Sequence, residues 1–152
     1  MIRMEAYTNE ASIQDIDALL PMVQQHMTFI GTPKSLEKTR QILLQSLWPG
    51  HRTVLFVAYD EDSMPIAFAF GNAGFGLEVG EYFWINEIHV EESQRGVGHG
   101  LKFLEWIEKW LAEKNIHYIA TMTSTGNAAS QNLFRKNGFC VEKVMWMDKD
   151  LT

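Results

Sequence analysis

At 152 residues, with 46% hydrophobic side chains, the chain is long enough for one domain with a sizeable core. Its formal charge of -6, from 19 acidic against 13 basic side chains, argues against nucleic acid as a partner, because phosphate backbones need clustered Lys and Arg. No apolar run approaches the roughly 20 residues that span a bilayer, so no membrane segment is expected.

A single cysteine, Cys140, cannot form an internal disulfide, and the opening MIRMEAYTNE lacks the charged, apolar, small pattern of a secretory leader, so the cytoplasm is expected. His26, His51, His89, His99 and His117 are scattered, with no HExxH pair and no CxxC, so no metal site is expected.

Residues 2–7 (IRMEAY) alternate and read as a strand. Ser12, with Asp15 three places later, resembles a helix cap before Ile13, Ile16, Leu19 and Leu20, and Pro21 is expected to disturb that helix. Thr32-Pro33 offers a cap and a first-turn proline for a second helix, in which Leu36, Ile42, Leu43 and Leu47 recur at helical spacing until Pro49-Gly50. From Thr53 the period changes: TVLFVAYD, a turn at EDSMP and IAFAFGNAG predict an antiparallel hairpin. Gly71, Gly74, Gly76 and Gly80 predict a mobile loop before the strand Tyr82 to Val90 (YFWINEIHV).

Leu101, Leu104, Ile107, Trp110 and Leu111 share one side of a helix ending near Asn115. A strand over His117 to Thr123, a helix over Asn127 to Asn137 closed by Gly138, and a last strand over Phe139 to Met147 complete the order β α α β β β α β α β. That order predicts an α/β fold, with a mixed, mostly antiparallel central sheet covered by helices, in a single domain over residues 1–152.

Between the third-last strand and its helix stands SQRGVGHGL, residues 93–101. Glycines at a strand-to-helix junction either permit a tight turn or bare the backbone for an anion; a helix N-terminus, with free amides and a favourable dipole, favours the anion. The spacing fits neither GxGxxG nor a Walker A loop, which needs GK[ST]. What remains, Val90 followed by Arg95-x-x-Gly98-x-Gly100, resembles the acyl-CoA loop of the GNAT superfamily of N-acetyltransferases. A second segment, Asn127-x-x-Ser130-x-x-Leu133-Phe134-x-Lys136-x-Gly138-Phe139, resembles that family's later motif, and Ile85 to Val90 resembles its strand beside the pantetheine arm.

The resemblance implies an acyltransferase that moves an acetyl group from acetyl-CoA to a primary amine of a small molecule or peptide, directly, in a ternary complex. It assigns CoA binding to the backbone of Arg95, Gly96, Val97, Gly98, His99, Gly100 and Leu101, and a carbonyl-polarising amide to the strand at Ile88, His89 and Val90. Asn127 is either a helix cap or a pantetheine contact, or both; Lys102 and Lys136 either reach CoA phosphates or are solvated. His99 either touches phosphate or is an exposed loop histidine. For the general base Glu87 is favoured and His89 is the alternative, only one of them being expected to face the cleft unless a bulge intervenes.

Phe134 stands where the family commonly carries the tyrosine that protonates the departing thiolate; Ser130, Thr123 or water is left to complete that step. The same departure keeps a second reading open, a non-catalytic acyl-CoA-binding sensor or partner domain. Glu78, Glu81, Glu87, Glu91 and Glu92, with Tyr82, Phe83 and Trp84 among them, either form a mouth for a cationic amine or a solvated acidic edge. Homodimerisation is common in the family and is carried over as an expectation.

Overall fold

Five strands build one sheet in this protein, whose computed structural model describes residues 2–9, 13 and 16–152. They are β1 (Arg3–Tyr7), β2 (Thr53–Tyr59), β3 (Pro65–Gly76), β4 (Gly80–Val90) and β5 (Ile119–Thr121), lying in that order. Each pairs antiparallel with the one before except β5, which runs parallel to β4. With α1 (Leu20–Phe29), α2 (Leu36–Ser46), α3 (His99–Glu113) and α4 (Ala128–Lys136), this is the mixed, mostly antiparallel α/β fold that the order of elements predicts. The sheet and the first three helices belong to one compact unit, Met1–Met122, and α4 belongs to a second, Thr123–Thr152.

Two apolar faces on the sheet explain the helices around it. Tyr7, Leu55, Val57, Tyr59 and Phe68 turn to one side, where Leu20 and Met22 of α1, Leu43 of α2 and Leu47 at the C-cap of α2 join them in a buried cluster. On the other side Phe56 meets the rings of Phe83, Trp106 and Trp110. The buried residues of α3, Phe103, Leu104, Ile107 and Leu111, recur at the spacing that gives a helix one apolar stripe. Burying a side chain of this size contributes roughly 1.5–3 kcal/mol.

Several local expectations change in the folded chain. Pro21 opens α1 instead of disturbing it, because a first-turn proline lacks an N–H that has no helical partner anyway; the proposed cap at Ser12 and Asp15 lies outside the described residues. The cap of α2 is Ser35, not Thr32: its Oγ accepts the Lys38 N–H at 3.1 Å. The glycine-rich run is no mobile loop, since β3 continues through Gly76 and returns at Gly80. There a Cβ on Gly71 would collide with the Trp84 carbonyl, and one on Gly74 would lie 2.5 Å from the Tyr82 ring, so bare backbone is what lets these strands pair closely.

The last strand, expected over Phe139 to Met147, does not form. No described strand pairs with residues 139–147, and without a neighbour to take its amides and carbonyls an extended segment gains no ladder. Val141, Val144, Met145, Trp146 and Met147 are exposed. Among the described residues no helix is long and apolar enough to cross a membrane.

Candidate active site

One extra residue in β4 sets the geometry of the site. Phe70 pairs with Glu87 but Gly71 pairs with Ile85, so Asn86 is a β-bulge. Before it, Phe83 turns to the α3 side, and so does Ile85 two residues on. After it the parity reverses, and Glu87 points to the α1 side, where His26 Nε2 lies 2.5 Å from Glu87 Oε2. An ionised carboxylate only accepts, so His26 is the donor of this bond.

His89 shares that face with Glu87, which corrects the expectation that only one of the two turns inward: residues two apart on a strand point the same way. His89 is buried, stacked on Phe68 with centroids 5.9 Å apart, and its ring meets the edge of His26 at 5.4 Å. Burial, then the nearby His26 and Arg95, pushes its pKa down to about 4, so the ring is neutral near pH 7. Its Nε2 and His26 Nδ1 are buried with no hydrogen-bond partner among the described residues. Of the two candidate bases, Glu87 is the one with open space before it, its side chain being 34% exposed. It borders a cavity of about 170 Å³ between α1, α2 and the sheet.

Beyond Ile85 the opposite edge of β4 pairs with no described strand. Glu91 donates its N–H to the Ile66 carbonyl of the neighbouring strand, so Glu87 and His89, in register with it, also turn their amides to β3, while Ile88 and Val90 turn theirs away. Pairing with β5 ends at Ile85 and Thr121, where Thr121 Oγ1 donates to the Ile85 carbonyl at 2.9 Å. The Ile88 N–H therefore faces no described strand, and the Val90 carbonyl accepts from Arg95 Nε at 2.8 Å. That bond ties the glycine loop to the end of the strand.

Along the loop, Gly96 (φ 80°) and Gly98 (φ 84°) take the left-handed conformation, and a Cβ on either would meet nothing within 4 Å. Gly98 is the N-cap of α3 and has no side chain to cap it. The amides of Gly98, His99, Gly100 and Leu101 precede the first helical bond, from Lys102 N to Gly98 O, and so lack helical partners. Val97 and Lys102 are exposed, and His99 Nδ1 is buried without a partner among the described residues. Free amides of this kind at a helix N-terminus are able to bind an anion.

The remaining motif residues sit together in the second unit. Asn127 caps α4, its side chain accepting the Ser130 N–H at 3.0 Å. Gly138 (φ 89°) ends the helix: its N–H bonds the Arg135 carbonyl and that of Phe139 the Phe134 carbonyl, a Schellman motif. The rings of Phe134 and Phe139 meet edge to face at 5.0 Å, the apolar contact that accompanies such a cap. Phe134 thus has a packing role, and Lys136 is exposed in the last turn. The acidic residues do not form one mouth: Glu81 pairs with Arg52 at 2.9 Å, six residues along β4 from Glu87, or roughly 20 Å at strand rise. His26 is the site residue that sequence reasoning missed.

The acetyltransferase (GNAT) family matches residues 20–139. The chain belongs to this family. It is an acyltransferase, built on the fold that its structural neighbours share. One of these, a probable acetyltransferase, superposes with a TM-score of 0.84 at 20% identity, over 99% of this chain and 98% of that one. A predicted acetyltransferase with acetyl-CoA from Clostridium acetobutylicum gives 0.73 at 19%, over 99% and 97%. An aminoglycoside acetyltransferase from an uncultured soil metagenomic sample, in complex with sisomicin, gives 0.77 at 14%, over 99% and 97%. No curated protein matches the chain by sequence.

Proposed function

We propose that this GNAT protein is a cytoplasmic N-acetyltransferase that passes the acetyl group of acetyl-CoA directly to a primary amine, with Glu87 as the general base. The observation that carries this reading is the Asn86 bulge, which aims Glu87 at the cavity while the adjacent Ile88 amide faces the strand edge that pairs with no described strand. The loop fits a pyrophosphate, since its free amides, left-handed glycines and empty space favour close approach of an anion. Acetyl-CoA supplies an activated acetyl group as a thioester.

The chain's own groups do the rest. Glu87 Oε2 accepts from His26, which leaves Oε1 to take a proton from the amine as it attacks. The Ile88 N–H donates to the oxygen on which charge develops. Because a free thiol has a pKa of about 8.5, departure as thiolate at pH 7 costs roughly 2 kcal/mol, which proton uptake from solvent water offsets. A phenol at residue 134 is therefore not required.

Thiol release from acetyl-CoA across a panel of amines tests the proposal. Acceptor-dependent release should fall by 10²- to 10⁴-fold in Glu87→Gln, roughly the contribution of a general base, with acetyl-CoA affinity kept. Tight acetyl-CoA binding without release to any amine would refute transfer and favour an acyl-CoA sensor.

A further inference from the structure

The walls of the cavity beside Glu87 carry information about the acceptor. Val23 and Met27 of α1, Ile42 and Leu43 of α2, and Phe68 and Phe70 of β3 supply most of its surface. Glu87 is the one carboxylate among its lining residues, and it already accepts a hydrogen bond from His26. The other full charge on the lining is the cation Lys34. Such a wall suits one amino group and repels a second. A polycation needs several carboxylates, and the many hydroxyls of a sugar would find, beside the two charges, only His26 and the hydroxyls of Thr39 and Ser46, which already donate to backbone carbonyls.

Size narrows the class further. The cavity holds about 170 Å³, and an apolar cavity of about 150 Å³ is enough to take up benzene. We propose that the acceptor is a monoamine whose nitrogen docks at Glu87 and whose single apolar body, about the size of one benzene ring, fills the space between α1, α2 and β3. This rests on the transferase reading of Glu87, and it separates the protein from those of its structural neighbours that are aminoglycoside acetyltransferases. Nothing in the fold itself dictates this; it follows from which side chains α1 and α2 turn toward the sheet.

The test uses the full chain, saturated with acetyl-CoA for kinetics and with CoA for calorimetric binding, with methylamine, butylamine, 2-phenylethylamine, spermidine and sisomicin as probes. In kcat/KM the alkylamines should gain about fourfold per methylene, and 2-phenylethylamine should exceed methylamine by at least roughly thirtyfold, the gain from burying one ring. Spermidine and sisomicin should fall at least about tenfold below 2-phenylethylamine. Ile42→Phe fills the cavity from a half-buried position, and Val23→Phe does so from the other helix. Either should lower the ratio of 2-phenylethylamine to methylamine activity by about tenfold or more.

Release with sisomicin or spermidine as the best acceptor would overturn the monoamine assignment while leaving the transferase intact. Binding of 2-phenylethylamine that both variants block, without acetyl transfer, would support the pocket and refute the transferase. Absence of any 2-phenylethylamine binding to the wild type, or a ratio unmoved in both folded variants, would overturn the assignment outright.

Discussion

Replacing His89 by Phe should make the protein more resistant to mild acid. In the folded chain His89 lies between Phe68 and His26, with Glu87 on the same face and Arg95 near enough to add positive charge, and its pKa is held at about 4. In the unfolded chain it returns to about 6.5. The unfolded state therefore binds more protons between these values, so this contribution to stability is complete above pH 6.5 and is lost as pH falls toward 4. The full difference of about 2.5 units corresponds to at most about 3 kcal/mol, of which about 2 kcal/mol disappears between pH 7 and pH 5.

Phenylalanine cannot titrate, can keep the stack on Phe68, and removes the buried, unpartnered Nε2. Urea unfolding of both proteins at pH 7 and pH 5 holds in common the titrating groups away from this face; His26, whose ring meets that of His89, is the exception. With a slope of about 2 kcal/mol per molar, the wild type should lose roughly 1 M more of its midpoint than His89→Phe over this interval. Equal losses in the two proteins would show that His89 ionises as freely in the fold as outside it, and the reading of this buried face would fail.

Gly98→Ala places a Cβ in open space but forces a left-handed alanine, so it should cost about 1 kcal/mol at the loop and weaken acetyl-CoA binding roughly fivefold by calorimetry; unchanged affinity would remove the loop conformation from the binding site. Gly71→Ala should destabilise by about 2–3 kcal/mol, because the Trp84 carbonyl is backbone and cannot swing aside; thermal melting should drop by roughly 5–10 °C, and an unaltered melt would contradict the close strand pairing.

The parts of the site that rest on local chemistry could be read from the sequence. Arg95, Gly98 and Gly100 mark a loop because bare backbone at a helix start has few other uses, and Asn127 with Gly138 brackets α4 by cap chemistry that needs only neighbouring residues. His26 was illegible because its partner is 61 residues away, and nothing within α1 sets it apart. The glycines of β3 looked like a loop because their contacts are across the strand, with Trp84 and Tyr82. Residues 139–147 are rich in strand-favouring Phe, Val and Trp, but composition supplies no neighbour, and a strand also needs an edge to pair with.

Asn86 joins these two kinds of information. Nothing in INEIHV signals a bulge, since the extra residue is defined only by the count on β3, where Phe70 and Gly71 are consecutive and their partners are not. Without it Glu87 would follow Phe83 and Ile85 toward α3, among residues such as Phe103 and Ile107 that are fully buried. An unpaired carboxylate there would be driven toward its neutral form or would cost several kcal/mol. One inserted residue thus moves an acid out of the apolar core and onto the cavity wall opposite His26. The same insertion leaves Ile88 turning its half-buried side chain to the α3 side and its amide away from β3, so a carboxylate facing the cavity and an unladdered N–H come from adjacent residues of a single strand.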